Sequence, residues 1–209
     1  MIRVALADDH TIVRRGLKQI LESEQDIKVV FEAASGDEAV DFVRSNPVDV
    51  VVMDITMPPR NGIEALKDIK KLKPSLPVLI LSMHTREQYA VRVLKAGAAG
   101  YITKQSAPDE LVSAIRKADR GGIYINNELA EMLAKHVGGP EKEEPHRDLS
   151  DRELQVFLAI GRGCSLTEIA HDLSISVKTV STYRSRIIEK TGLTTNAMIT
   201  RYSLEHGLI

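Results

Sequence analysis

The sequence predicts two folded parts: an α/β doubly wound five-stranded parallel sheet, then a small all-α domain. Three observations predict it. Short apolar runs alternate with amphipathic stretches through roughly the first 120 residues, residues 138–148 are rich in glycine, proline and charge, and the remainder shows only helical periodicity behind capping serines.

The apolar runs are Ile2–Ala7, Ile27–Phe31, Val48–Met53, Pro77–Leu81 and Gly100–Thr103. Several are nearly continuous in Val, Ile and Leu, as expected of strands buried on both faces. Between them Val13, Leu17, Ile20 and Leu21 recur on one helical face, as do Ile63, Leu66 and Ile69, and then Leu111, Ile115 and Ala118. Five strand–helix units make the doubly wound count. Residues 127–137 read as a helix leading out of this part. Residues 138–148 offer no apolar side chain to a core and read as a flexible linker. The boundaries are therefore 1–125 for the first domain, 126–148 for helix and linker, and 149–209 for the second.

In the second part Ser150-Asp-Arg-Glu153 is a capping box that opens a helix to about Ile160, and Ser165-Leu-Thr-Glu168 repeats the device before a short helix. Ser176 caps a third helix from Val177 to about Lys190, and a fourth runs from Thr195 to about Glu205.

The chain has 209 residues, 43% apolar and 27% charged, enough for two globular units. No apolar run approaches the roughly 20 residues that span a bilayer. Met1 to Asp9 enters a strand pattern directly, without the layout of a signal peptide, which predicts a cytoplasmic protein with no membrane partner. The single cysteine, Cys164, fits a reducing compartment and is expected to pack as a small apolar residue. Net charge is −1, but it is unevenly spread. Residues 1–137 carry 19 basic and 19 acidic side chains, whereas within 177–190 Lys178, Arg184, Arg186 and Lys190 face only Glu189. That local excess is what a nucleic-acid surface requires.

Asp8 and Asp9 follow the first predicted strand and Asp54 ends the third. In a doubly wound sheet ligands bind beyond the carboxyl ends of the strands, near the switch in strand order. Three carboxylates converging there repel one another and need a cation, and Mg²⁺ suits an all-oxygen site that also accepts a phosphoryl group. Lys104, ending the fifth strand, brings an ammonium to the same cleft, and Ser82, ending the fourth, brings a hydroxyl. The set fits phosphoryl transfer to a carboxylate. Asp54 is the candidate nucleophile, because it lies centrally between the acidic pair and Lys104. One strand-end aspartate is ordinarily a turn residue; the ordered set carries the reading. His10 is read as opening the first helix rather than binding metal.

These residues, as Asp8-Asp9, Val-Met-Asp54-Ile-Thr-Met-Pro, Ser82 and Gly-Tyr101-Ile-Thr-Lys104, resemble the flavodoxin-like receiver domains of two-component response regulators. The resemblance implies phosphotransfer from a histidine kinase to Asp54. It implies Mg²⁺ held by Asp9, Asp54 and the backbone carbonyl of Thr56, with Asp8 acting through water. It also implies that Ser82 and Tyr101 switch together and remodel the face of the fourth helix, fifth strand and fifth helix. Pro59 stands where many relatives have glycine and is expected to stiffen its loop. His84 lies where relatives tune dephosphorylation, though a plain loop histidine is equally consistent.

Thr167–Leu173, the turn Ser174-Ile175-Ser176 and the helix from Val177 form a helix-turn-helix pattern, whose second helix enters the DNA major groove. Ala170 is small where the helices cross, and Ile169, Leu173, Ile175 and Val180 supply a core, with Val177, Val180, Arg184 and Ile187 at helical spacing. The outward face is read as Lys178, Thr179, Ser181, Thr182, Ser185, Arg186 and Lys190. Leu149-Ser-Asp-Arg-Glu153, Glu168-Ile-Ala170 and Ser176-Val-Lys-Thr-Val180 resemble the output domain of the NarL/FixJ (LuxR-type) regulators. By that resemblance Ser181, Thr182 and Ser185 are candidates for base contact, and Lys178, Arg184, Arg186 and Lys190 for phosphate contact. Leu166-Thr167 replaces a frequent Asn-Lys, Tyr183 a frequent histidine, and Ser174 the glycine of many such turns. The resemblance also implies a homodimer on activation, paired through the last helix, with RNA polymerase a further candidate partner. Core packing explains Met198, Ile199, Tyr202 and Leu204 of that helix equally well.

The reading that follows is a phosphorylation-gated transcription factor, with the unphosphorylated receiver restraining the recognition helix. Two other classes compete. A phosphatase of the haloacid-dehalogenase type also forms an aspartyl phosphate, but needs an acid two residues after its nucleophile, where this chain has Thr56. An interaction protein with a silent receiver would not need the phosphotransfer set, which is present in full.

Overall fold

The computed structural model describes residues 1–58, 61–83, 87–127, 129–131 and 144–209, with backbone alone for Glu87 and Gln88. It divides into two compact units, Met1–Gly139 and Pro140–Ile209. In the first, β1 (Ile2–Ala7), β2 (Ile27–Ala33), β3 (Val50–Asp54), β4 (Val78–Ser82) and β5 (Gly100–Thr103) form one sheet. Every pairing is parallel and the order is β2-β1-β3-β4-β5, the expected doubly wound arrangement. The helices α1 (Thr11–Glu22), α2 (Gly36–Ser45), α3 (Gly62–Leu72), α4 (Glu87–Lys95) and α5 (Ala107–Asp119) connect the strands.

The central strands are apolar on both sides because helices cover both sides: Val50–Met53 and Val78–Leu81 are all fully buried. One core joins Val4, Leu6, Val50, Val52, Leu79 and Leu81 to Leu17 and Leu21 of α1 and Leu111 and Ile115 of α5. The strand after α2 starts later than the apolar run suggests. The Asp49 carboxylate takes the Arg3 backbone N–H at 2.8 Å and its guanidinium at 2.9 and 2.7 Å, so the β1–β3 ladder begins at Val50.

Register positions the site. Val4 pairs with Val50 and Leu6 with Val52. Side chains alternate along a strand, so the next rung on the same face sets Asp8 beside Asp54, on strands about 4.8 Å apart. The loop from β3 to α3 is drawn tightly onto this rung. Gly62 N–H donates to the Ile55 carbonyl at 3.0 Å, and a Cβ at Gly62 would lie 2.2 Å from the Asp54 carbonyl oxygen. Asn61, fully buried, caps α3 by accepting the Ile63 N–H at 2.8 Å.

The second unit comprises a 3-10 helix (Pro145–Asp148) and helices α6 (Asp151–Gly161), α7 (Leu166–Asp172), α8 (Val177–Thr191) and α9 (Asn196–Glu205). The expected caps are in place, with reciprocal capping boxes at Ser150/Glu153 and Ser165/Glu168 and side-chain caps from Ser176 and Thr195. Phe157, Leu158, Ile160, Ile169, Val180, Ile187 and Ile199 fill its core. Ile169 and Leu173 are buried as expected, whereas Ile175 is half-buried and Val177 is 44% exposed. Ser174, in the turn between α7 and α8, adopts φ 50°, the left-handed conformation that glycine supplies in many such turns. Cys164 is half-buried.

One expectation needs correction. The C-terminal end of the predicted linker is folded: His146 is 3% exposed, its Nδ1 lies 2.9 Å from the Tyr202 hydroxyl, and its ring meets Tyr202 edge-on at 5.8 Å. A histidine reads as polar by composition, but its flat ring fills a core site once the polar nitrogen has a partner. Asn127 and residues 129–131 are helical. The rest of the predicted 127–137 helix, the linker through 143, Pro59 and His84 lie outside the described residues.

Gly62→Ala is expected to destabilise the first unit by about 1–3 kcal/mol, since Cβ cannot be accommodated without moving backbone. Urea unfolding followed by circular dichroism checks this, and an unchanged midpoint would show that the β3–α3 loop yields freely.

Candidate functional site

At the carboxyl end of the sheet, Asp8 is fully buried and Asp54 is 1% exposed. Two buried carboxylates on neighbouring strands are tolerable only with a cation between them. Lys104 supplies it. The Lys104 backbone N–H donates to the Ser82 carbonyl at 2.7 Å, which continues the β4–β5 ladder and places Lys104 at the sheet's carboxyl end. Its Nζ then lies 2.7 Å from Asp54 Oδ2, a hydrogen bond, and 2.7 Å from Asp8 Oδ2, an ion pair less well aligned. Asp8 Oδ1 accepts the His10 N–H at 2.8 Å, and Arg14 reaches back to the Asp8 carbonyl, fixing the loop that carries Asp9. Asp54 Oδ1 accepts the Thr56 N–H at 3.3 Å. Ser82 ends β4 fully buried, and Tyr101 on β5 is 3% exposed.

The electrostatics follow from burial. Desolvation pushes the Asp54 carboxyl up from the ordinary 3.8 to about 6; Lys104 opposes the rise and Asp8 adds to it. Burial alone would lower the Lys104 ammonium, but Asp54 and Asp8 outweigh it and hold the group above its ordinary value. Three carboxylates face one ammonium, which leaves the cleft short of positive charge. Asp8, Asp9, His10 and Asp54 each offer a ligand atom, all within 4.8 Å of one another. The three carboxylates of this set, with the charge deficit, fit a hard divalent cation. His10 opens α1, as expected, yet its Nδ1 also lies 2.8 Å from Asp9 Oδ1. The sequence reading did not place that ring against the acidic pair; adjacency to Asp9 was the available signal.

In the second unit α8 sorts its side chains cleanly. Lys178, Ser181, Thr182, Ser185, Arg186 and Glu189 are all exposed, at the i, i+3, i+4, i+7, i+8, i+11 spacing of one helical face. Val180 and Ile187 are fully buried behind it. Thr179, Arg184 and Lys190, also expected among the DNA contacts, are each engaged by a neighbour. Thr179 is half-buried, with its hydroxyl 2.8 Å from that of Ser176. Arg184 is half-buried and its Nε donates to Asn196 Oδ1 at 2.9 Å, tying α8 to the first turn of α9. Lys190, though exposed, is tied back to the unit, its Nζ 2.6 Å from Glu153 Oε2 and 3.3 Å from the Asp148 carbonyl. Glu153 itself is 3% exposed and also accepts the Ser150 N–H at 2.8 Å. Burial works against its charge, but Lys190 and Ser150 outweigh burial and hold its carboxyl below the ordinary range. Its bracing role was hidden in the sequence, where Glu153 reads only as a capping residue.

Comparison with known proteins assigns a family to each unit. Residues 4–116 match the response regulator receiver domain, and residues 147–203 match the family described as bacterial regulatory proteins, luxR family. The chain is a two-component response regulator with a LuxR-type DNA-binding domain. It is 43% identical over 209 residues to the response regulator UvrY of Escherichia coli K12, covering 100% of this chain and 96% of that one. It also resembles RcsB of Salmonella enterica serovar Typhimurium, solved bound to promoter rprA with phosphomimetic BeF3-, at 28% identity and TM-score 0.65, covering 96% and 97% of the two chains. A structure of two RcsB dimers bound to two parallel DNAs matches at 27% identity and TM-score 0.62, again covering 96% and 97%. No described helix of this regulator is long and apolar enough to cross a membrane.

Two stability predictions follow for the regulator. The folded chain holds the Asp54 proton more tightly than the unfolded chain does. This carboxyl therefore contributes most below about pH 4, and its contribution is lost as pH rises through about 6. Asp54→Asn, which leaves Lys104 its Asp8 partner, should raise stability at pH 7.5 in EDTA by on the order of 1–3 kcal/mol, with the gain shrinking toward pH 4. Denaturation midpoints across that range decide it, and a loss at pH 7.5 would contradict it. Glu153 has the opposite sign, giving stability above the ordinary carboxylate range that is lost on acidification. Glu153→Gln should cost about 1–3 kcal/mol at pH 7, with the deficit narrowing in calorimetric scans below pH 4.

Proposed function

We propose that Asp54 is the phosphoacceptor of this regulator and that its phosphorylation raises the affinity of the second unit for promoter DNA. The observation that carries the first part is the Lys104 ammonium, 2.7 Å from both Asp54 and Asp8 in a cleft short of positive charge. An Asp54 carboxylate oxygen attacks the phosphorus of a phosphohistidine on the donor kinase. The P–N bond breaks, and the imidazole keeps its electron pair and takes up a proton. Asp9, Asp54 and the Thr56 carbonyl would hold Mg²⁺, with Asp8 beside them; when bound, the ion neutralises charge on the transferring group. Lys104 stays with the acyl phosphate, and the Ser82 hydroxyl, at the end of the neighbouring strand, donates to it. Tyr101 is the partner of that switch on β5. The chain thus catalyses only its own phosphotransfer.

On DNA, the exposed face of α8 enters the major groove. Ser181, Thr182 and Ser185 lie at its centre as base readers, and Lys178 and Arg186 at its ends as phosphate contacts. The likeness to RcsB, solved on a promoter and as dimers on DNA, supports a homodimer on paired half-sites. Thr179, Arg184 and Lys190 serve that face indirectly, through the cap and the ties that hold α8. A histidine kinase as donor, RNA polymerase as a further contact and a cytoplasmic location complete the reading.

Treatment of the full chain with acetyl phosphate and Mg²⁺, followed by intact mass measurement and binding to a random-sequence DNA pool, tests both parts. The wild type is expected to gain one phosphoryl adduct that Asp54→Asn lacks, and to bind DNA several-fold more tightly when modified. An adduct retained in Asp54→Asn would move the acceptor elsewhere. Equal DNA affinity with and without the adduct would remove the gating.

A further inference from the structure

The face of α8 carries three hydroxyls at its centre, and two of them have already spent their protons. Thr182 Oγ1 donates to the Lys178 carbonyl at 3.0 Å, and Ser185 Oγ donates to the Ser181 carbonyl at 3.1 Å. These are the back-bonds that helical Ser and Thr make to the preceding turn. A hydroxyl has one proton and two lone pairs, so each of these groups meets the outside as an acceptor only. Around them the charged side chains stand at the ends of the face, Lys178 one turn before Thr182 and Arg186 beside Ser185. Arg184, which could have offered a planar fork of donors, is engaged by Asn196 at 2.9 Å.

We infer that Thr182 and Ser185 select bases by accepting hydrogen bonds from exocyclic amino groups, the N6 amino of adenine or the N4 amino of cytosine, in the major groove. This rests on the DNA reading proposed above and deepens it. Guanine offers two acceptors along that edge, and thymine an acceptor and a methyl group, so each would set acceptor against acceptor at these hydroxyls. In the major groove every base pair presents one amino group, on one strand or the other. The hydroxyls therefore do not distinguish A·T from G·C. They distinguish which strand carries the amino group, and the half-site shows positions where adenine and cytosine interchange but guanine and thymine do not. Ser181, whose hydroxyl makes no hydrogen bond among the described residues, keeps its proton and is free of this restriction.

The test uses the full chain treated with acetyl phosphate and Mg²⁺. Sites are enriched from a random duplex pool by wild type, Thr182→Val and Ser185→Ala. The selected wild-type site is then remade with purine for adenine, or 2-pyrimidinone for cytosine, at each position whose preference a variant has lost. Both side chains are exposed, so the variants are expected to keep the wild-type circular dichroism spectrum and melting temperature. The expected result is a position for each variant at which wild type accepts adenine and cytosine about equally. There, deleting the amino group should cost the wild type roughly 3- to 10-fold in affinity and the matching variant nothing further. Three outcomes overturn the inference while leaving DNA recognition intact: a tracked position that prefers guanine or thymine, an amino deletion equally costly to the variant, or variants that lose no positional preference. Failure of wild type to enrich any sequence would instead overturn the sequence-specific DNA reading itself.

Discussion

The Lys104 ammonium between Asp8 and Asp54 is the interaction on which the first unit's chemistry depends. Parallel register forces the two carboxylates together, and their burial forbids water from separating them. Lys104 meets both at 2.7 Å, so it makes the acidic cleft foldable before any ligand arrives. The same contact leaves the site incomplete. Burial outweighs what one ammonium returns to Asp54, with Asp8 adding to the cost, and the carboxyl holds its proton up to about pH 6. A site that is uncomfortable when empty responds strongly to a divalent ion and a phosphoryl group, because both relieve a cost already present in the fold.

Much of this was legible in the sequence for a structural reason. Strand ends in a doubly wound sheet lie along one edge, so Asp8, Asp54, Ser82 and Lys104 could be brought together from strand order alone. The rung that pairs Asp8 with Asp54 needed the register, which periodicity does not supply, since sliding β3 by two residues preserves every apolar pattern. The His10 ring against Asp9 was likewise beyond reach, because it depends on the direction in which α1 begins. Helix caps were readable at Ser150, Ser165 and Ser176, where the interaction spans three residues of contiguous chain.

What escaped was tertiary reuse of polar residues. Glu153 reads as a capping residue and is one, but the same carboxylate accepts Lys190 from the far end of α8, at 37 residues' separation. His146 reads as linker and is core, because Tyr202 in the last helix supplies its partner. Arg184 reads as a surface cation, and Asn196 holds it. Composition assigned all three to solvent; distant partners brought Glu153 and His146 inside and hold Arg184 at the surface. These three contacts have a common effect. They fasten the middle and the C-terminal end of α8, and the chain just before α6, to the rest of the unit, so that the exposed face is held in place.

That fastening consumes charge. Of the basic residues counted in 177–190, Arg184 and Lys190 are committed internally, which leaves Lys178 and Arg186 on the exposed face of α8. Few phosphates can be neutralised by one such helix, and each released counterion contributes only one increment to affinity. A single copy would therefore bind weakly, and most of the useful affinity would come from placing two copies on adjoining half-sites, where the second contact is made at high effective concentration. A weak recognition helix is then an advantage under the proposed regulation. If one copy bound tightly alone, phosphorylation could add little. With charge spent on orientation instead of attraction, pairing becomes the step that decides occupancy, and the control of pairing passes to the carboxylate cleft of the first unit.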